Sequence, residues 1–279
     1  MTPEEFFELF ENELDSYNGN NSYGIKEYYK FAQKGLFYPW RKAYLLQRLE
    51  YIYENIVKYR PSQVWDVGCG FGTSSLFLAM NGISSKGTTL EWYHKMLPER
   101  KKFWNQYGNA ELFNVNIENL FEISIPKESA DFILVQDTLH HLEPIDEALR
   151  IFYETLRKDG KIVVVDDNGN NIMQRIKLYL YRKNNRVIEF YDENLKKKIL
   201  FGNENVRSYD QWASLFHKNR FEISNVQFIR FFPPVLVNNS NYRSLIDVEK
   251  KLWKKSAFLK EYFYWGLDFV ASKNSGQGK

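Results

Sequence analysis

The segment Val64-Trp65-Asp66-Val67-Gly68-Cys69-Gly70-Phe71-Gly72-Thr73 constrains this chain more than any other. A short β-branched and aromatic run gives way to three glycines at alternate positions, then to a helix-like stretch reaching residue 81. Glycine allows left-handed backbone and close approach to a ligand. A turn of that kind, leaving a strand and opening a helix, belongs to a doubly wound α/β sheet, whose ligands bind beyond the carboxyl ends of the strands. The spacing also excludes one use of such a turn. A dinucleotide fingerprint requires G-x-G-x-x-G, whereas here the third glycine falls one position early, at 72, and an acid, Asp66, precedes the first by two.

Around this segment the chain divides into a helical cap, residues 1–60, and an alternating α/β domain, residues 61–279. In the cap, Thr2-Pro3-Glu4-Glu5 reads as a capping box opening a helix to about Asp15. Asn18-Gly19-Asn20-Asn21 is a turn cluster, and Tyr23–Gln33 and Pro39–Lys58 show helical apolar spacing. In the second part, strands are expected at 63–67, 86–90, 110–115, 131–136 and 161–166, with helices near 73–81, 96–106 and 145–157. A polar insertion, 167–207, follows the fifth strand; it contains a helix from Ile172 to Tyr181 and the basic run Lys196–Lys198, and its size suits a lid or acceptor region. Ser208-Tyr209-Asp210-Gln211 opens a helix to Asn219, followed by a strand from Phe221 to Phe232, a loop from Asn238 to Tyr242, a helix from Leu245 to Phe258, a strand from Tyr262 to Ser272 and a disordered tail from Asn274.

Asp66-x-Gly68-x-Gly70-x-Gly72 resembles the first motif of class I S-adenosylmethionine-dependent methyltransferases, and the later strands follow the same order. Glu91, 19 residues after Gly72, ends the second strand where that family places the acid that holds both ribose hydroxyls. Asn116 and Ile117, ending the third, fall where the family meets the adenine, and Gln136, ending the fourth, falls beside the methyl group. The resemblance thus implies S-adenosylmethionine as cofactor, its methionine portion cradled by Asp66, Gly68, Gly70 and Gly72, with Cys69 as a small filler in the loop. Trp92 either covers the adenine or belongs to the core. The fold so implied is a Rossmann-like seven-stranded sheet ending in an antiparallel hairpin, and the resemblance spans residues 60–167.

Asp137-Thr138-Leu139-His140-His141-Leu142 is similar to the small-molecule branch of that family. In the sugar O-methyltransferases that share Leu-His-His, a histidine here acts as base and an acid ending the fifth strand assists it, a position that Asp166 occupies. A hydroxyl acceptor needs such a base because its pKa is too high for prior ionisation. The alternative is that the histidine pair fixes the shape of its own loop. A magnesium-assisted variant would use Asp137, Asp167 and Asn168; we take no metal as the expectation.

The expected activity is therefore O-methylation of a hydroxyl on a small-molecule or glycan acceptor. The alternatives are methylation of a lipid or quinone-like acceptor at a membrane surface, and a non-catalytic cofactor-binding scaffold. Peripheral membrane contact is suggested by Lys250–Lys255 with Leu252, Trp253 and Phe258. A nucleic-acid partner is disfavoured: the net charge is only +3, and Gln136-Asp137-Thr138-Leu139 stands where base amino-methyltransferases carry Asn/Asp-Pro-Pro-aromatic. A single cysteine and an acidic amino terminus point to the cytoplasm, and the sequence carries no signal for an oligomeric state.

Overall fold

A computed structural model describes residues 1–17, 23–31, 34–89, 92–193 and 195–274. The turn cluster at 18–21, Gln33, Glu91 and most of the tail, 275–279, lie outside the described residues.

Seven strands form one sheet in the order β3 (Phe113–Ile117), β2 (Ser85–Thr89), β1 (Val64–Val67), β4 (Ala130–Gln136), β5 (Leu156–Asp167), β9 (Gly266–Lys273) and β8 (Phe221–Ile229). The first five are parallel, while β9 runs antiparallel to both β5 and β8. β1 is buried along its whole length and β4 along most of its own, which is why they are mainly apolar rather than alternating, with Asp66 the polar exception in β1. The chain leaves β1 toward β2 on one side and returns to place β4 on the other. The carboxyl ends of β1 and β4 therefore border the crevice at the topological switch point.

One sheet face carries α1 (Pro3–Ser16), α3 (Tyr38–Asn55), α4 (Thr73–Met80) and α5 (Leu97–Trp104); the cap helices share a core with the sheet, with Phe6 stacked 4.3 Å from Trp104. The other face packs α6 (Ile145–Thr155) and α8 (Tyr209–Lys218) around Trp212, Phe216 and Phe152. Both capping boxes form: Thr2 with Glu5 and Ser208 with Gln211.

Several boundaries differ from the sequence-based expectation. Residues 110–112 form a 3-10 turn ahead of β3, and β5 begins at Leu156, continuous through Gly160. The helix expected from Leu245 to Phe258 is two, α9 (Tyr242–Lys255) and α10 (Ala257–Phe263), because the Ser256 hydroxyl accepts from Leu259 N and starts a second one. The last strand consequently begins at Gly266, not at Tyr262. β8 stops at Ile229 because the Glu249 carboxylate takes the amides of Arg230, Phe231 and Phe232 out of the ladder. The insertion holds α7 (Ile172–Arg182) and, unforeseen, a hairpin of β6 (Val187–Asp192) and β7 (Lys197–Gly202).

A fully buried ion pair joins cap to sheet. Arg100 of α5 donates from Nε and Nη2 to the two Glu13 oxygens of α1, each at 2.7 Å. Tyr17 Oη and Trp104 Nε1 also donate to that carboxylate. The remaining arm of Arg100, Nη1, donates to Phe71 O and Thr73 Oγ1 at the glycine turn. Glu13→Gln would leave a buried cation half-paired and is expected to cost roughly 3–5 kcal/mol in urea unfolding. The joint replacement Glu13→Leu with Arg100→Met should cost clearly less, and equal losses would contradict this reading.

Candidate active site

The glycine turn is shaped by two different needs. Gly68, Gly70 and Gly72 all have positive φ, at 71°, 51° and 74°. At Gly68 an added Cβ would lie 2.3 Å from the Thr138 side chain, and at Gly72 it would lie 2.4 Å from the Phe113 ring, so both make room for packing. At Gly70 it would meet nothing within 4 Å, because there the loop opens onto a cleft.

That cleft measures about 710 Å³, within the range of small-molecule sites. Asp66, Gly68, Cys69, Gly70 and Gln136 line it, as do His140 and His141. Gly72 does not, and neither do Asn116 or Ile117: Asn116 is exposed and bonded to Glu118, and it is Glu118, Asn119 and Leu120, just past the end of β3, that form the wall there. Glu91 lies outside the described residues, and Trp92 opens a 3-10 turn. From the cap, Tyr28 and Tyr29 of α2 (Tyr23–Tyr29) reach the cleft, whereas Tyr17, Tyr38 and Arg41 bond elsewhere, to Glu13, Glu11 and Lys30 O. Burial pushes the Tyr28 hydroxyl far up, so it stays protonated. The Cys69 thiol is likewise held up, by burial and then by Asp66, which leaves it no nucleophile.

Asp66 is buried, accepts from Ser75 Oγ at 2.7 Å, and is pushed up to about 7 by burial, which outweighs that hydrogen bond. Beyond it, Asp166 ends the buried part of β5 and holds the His140 ring, Nδ1 to Oδ1 at 2.5 Å; Asp167 N donates to the same oxygen. The dyad leaves His140 Nε2 on the cleft side, 3.8 Å from Glu204 Oε2. Burial works against the imidazolium of His140, but the Asp166 charge and hydrogen bond outweigh it and raise the pKa to about 9. His141 behaves oppositely. Its Nδ1 donates to Gly202 O at 2.7 Å, its ring stacks 4.4 Å from Phe201, and burial followed by the His140 charge lowers its pKa.

The β6–β7 hairpin closes this end of the cleft. Ile188, Phe190, Ile199 and Phe201 face inward, Leu142 bridges to Phe201, and an added Cβ at Gly202 would lie 2.1 Å from His140 O. The lid thus docks directly on the Leu-His-His turn. Sequence reasoning missed it although the alternation Ile188-Glu189-Phe190 is a strand signal. It also missed Arg48. That buried guanidinium, on the apolar stripe of α3 beside Leu45, Leu49 and Ile52, grips both oxygens of Asp137 and the Tyr44 hydroxyl. An arginine inside an apolar stripe was the available sign.

These contacts correct the magnesium alternative. Asp137 is engaged by Arg48, and the Asn168 amide donates to the carbonyls of Lys260, Glu261 and Tyr264. Among the described residues, the groups able to gather an ion are His140, His141 and Glu204, whose donor atoms lie within 4.8 Å of one another.

Residues 65–164 match the family described as "Methyltransferase domain". Those residues form a methyltransferase domain. The fold of the chain is similar to that of a methyltransferase from Methanosarcina mazei, at 18% identity and a TM-score of 0.53, covering 77% of this chain and 93% of that one. It is also similar to phosphoethanolamine N-methyltransferase 2 of Haemonchus contortus crystallised with S-adenosylmethionine, at 15% identity and a TM-score of 0.56, covering 81% and 52%. A third similar structure is geranyl diphosphate C-methyltransferase of Streptomyces coelicolor with Mg²⁺, geranyl diphosphate and S-adenosylhomocysteine, at 12% identity and a TM-score of 0.54, covering 86% of each. No curated protein matches in sequence.

The residues present fit S-adenosylmethionine, the methyl donor that the sequence motifs imply. The loop is open at Gly70 and, among the described residues, the buried Asp66 carboxylate faces the cleft with a hydroxyl but no cation against it and Glu118 Oε2 is buried without a partner. Asp66 and the glycine loop would hold the amino-acid portion, and Glu118 with Asn119 the nucleoside.

The His140 shift has a sign that stability can read. A folded-state pKa raised to about 9, above the unfolded 6.5, stabilises fully below pH 6.5 and loses that contribution as pH rises through 9. The loss is on the order of 3 kcal/mol. Urea unfolding of Asp166→Asn is expected to show a much flatter dependence across that window.

Proposed function

We propose that the protein methylates a hydroxyl oxygen of a small molecule, sugars included, with His140 as the base and Asp166 as the residue that orients it. The observation that supports this most directly is the buried His140–Asp166 hydrogen bond of 2.5 Å, which commits Nδ1 and turns Nε2 toward the cleft. When bound, the donor supplies a methyl group on a cationic sulfonium. His140 must be neutral to accept the hydroxyl proton, and a cation in the same cleft opposes its imidazolium, bringing its pKa down toward neutrality. The Nε2 lone pair then takes the proton as the oxygen attacks, and the ring passes into the ion pair that Asp166 stabilises.

His141 has a different part in this reading. Its bond to Gly202 O and its stacking on Phe201 pin the lid. The lid's apolar inner face suits an acceptor whose hydroxyl sits on an apolar body. Among the described residues the cleft is lined by Glu118, Asp137, Asp167 and Glu204 and by no lysine or arginine, which favours an uncharged acceptor over a phosphorylated one such as those named for the two similar structures.

The test is methyl transfer to a panel of hydroxylated acceptors, of which alcohols or sugars with apolar substituents should serve best. His140→Ala should lower kcat by roughly 10²–10⁴, and His141→Ala should mainly raise the acceptor KM. In the wild type, kcat/KM should climb with pH toward a plateau, and chelation should leave turnover unchanged. Activity abolished by chelator and restored by a divalent ion would reassign His140, His141 and Glu204 to metal binding. An intact His140→Ala enzyme would remove the base from the mechanism.

A further inference from the structure

We propose that α7 lies on an anionic membrane surface and seats the mouth of the cleft against it. The helix sequence is IMQRIKLYLYR, without an acidic residue. Gln174 and Leu178 are its buried residues. On the opposite side, at 100° per residue, Ile172, Met173, Ile176, Tyr179 and Leu180 share an arc of about 120°. All five are exposed, Met173 at 63% and Leu180 at 75%. Arg175 and Arg182 border that arc on one side and Lys177 on the other, where long basic side chains can reach lipid headgroups while the apolar arc enters the acyl boundary.

The neighbourhood extends the same surface. α10 packs beside the start of α7, joined by Asn170 Nδ2 donating to Glu261 Oε1 at 2.7 Å, and it exposes Phe258 and Phe263. Unpaired charge decides the kind of surface. Arg175, Lys177 and Lys183 form no ion pair among the described residues, whereas Lys196, Lys197 and Lys198 pair with Glu193, Glu122 and Glu189, and Lys250 pairs with Glu50. The run Lys196–Lys198 is thus already matched by acids within the fold, whereas in the run 250–255 only Lys250 is, and Trp253 of α9 packs against the core. Around α7 the unpaired positive charge of Arg175, Lys177 and Lys183 borders an exposed apolar arc, a combination complementary to anionic lipid. No helix among the described residues is long and apolar enough to cross a membrane, so α7 would lie in the interface.

α7 leads straight into the β6–β7 lid, and Tyr181, near its end, lines the cleft. Docking therefore places the acceptor entrance at the bilayer, where a membrane-dissolved amphiphile with a free hydroxyl could enter. That delivery rests on the O-methylation reading; the docking itself does not.

The test is co-sedimentation of the full chain with vesicles of phosphatidylcholine alone and of phosphatidylcholine with phosphatidylglycerol. Binding to the mixed vesicles should exceed binding to the neutral ones by roughly tenfold or more. Met173→Ser/Ile176→Ser/Leu180→Ser should abolish it, and Arg175→Gln/Lys177→Gln should remove the preference for anionic lipid. S-adenosylhomocysteine binding by calorimetry should be unaltered in both variants, which shows an intact cleft. Failure of the wild type to sediment with either vesicle would overturn the proposal. So would a concentration-dependent dimer that the triple substitution dissociates, since a second copy would then cover the face. Vesicle binding with no methylated hydroxyl acceptor would uphold the docking and dismiss the O-methylation reading.

Discussion

The buried Glu13–Arg100 pair is the contact on which the site's geometry depends. A guanidinium with no solvent exposure has to place its donors on protein acceptors, and this one distributes them between the cap helix and the glycine turn. The first helix is thereby coupled to the loop that opens the cofactor cleft, although 58 residues separate Glu13 from Phe71. Arg48 repeats the device at the other end of the cap, holding Asp137 just beyond β4. Two arginines thus tie the cap to the two strand ends that border the switch point, and Tyr28 and Tyr29 of α2 are carried to the cleft between them.

Within that frame two adjacent residues of one type acquire opposite characters. The Asp166 carboxylate at Nδ1 drives His140 toward the charged form, whereas burial and the His140 charge drive His141 toward the neutral form against its bond to the Gly202 carbonyl. In the proposed function this division would give His140 the proton chemistry and His141 the lid. It also explains how both readings of the Leu-His-His turn, as base and as a device that fixes its own loop, can hold at once.

The central sheet was legible because its inner strands are buried on both faces and the turn after β1 is written in glycine, both local properties of the chain. The capping boxes at Thr2 and Ser208 were legible for the same reason. Less legible was whatever depends on partners distant in sequence. Gly72 reads as part of the cofactor loop but makes room for Phe113, and Asn116 reads as an adenine contact but turns outward on a strand whose next residues form the wall. Ser256 splits a helix through a hydrogen bond that periodicity does not register. The insertion hides a hairpin because its two strands are short and lie within a long polar stretch, where the alternation Ile188-Glu189-Phe190 is easily passed over.

In the proposed function His140 is a protonated partner of Asp166 that gives up its proton affinity when a cation enters the cleft. Calorimetry in two buffers of different ionisation enthalpy, at about pH 8, counts protons released on binding without knowledge of the acceptor. S-adenosylmethionine and S-adenosylhomocysteine both carry the ammonium that Asp66 would meet, and only the first carries the sulfonium. Greater proton release is expected with S-adenosylmethionine, an excess lost in His140→Ala and kept in His141→Ala. Equal release from the two ligands, or an excess that survives His140→Ala, would contradict that reading.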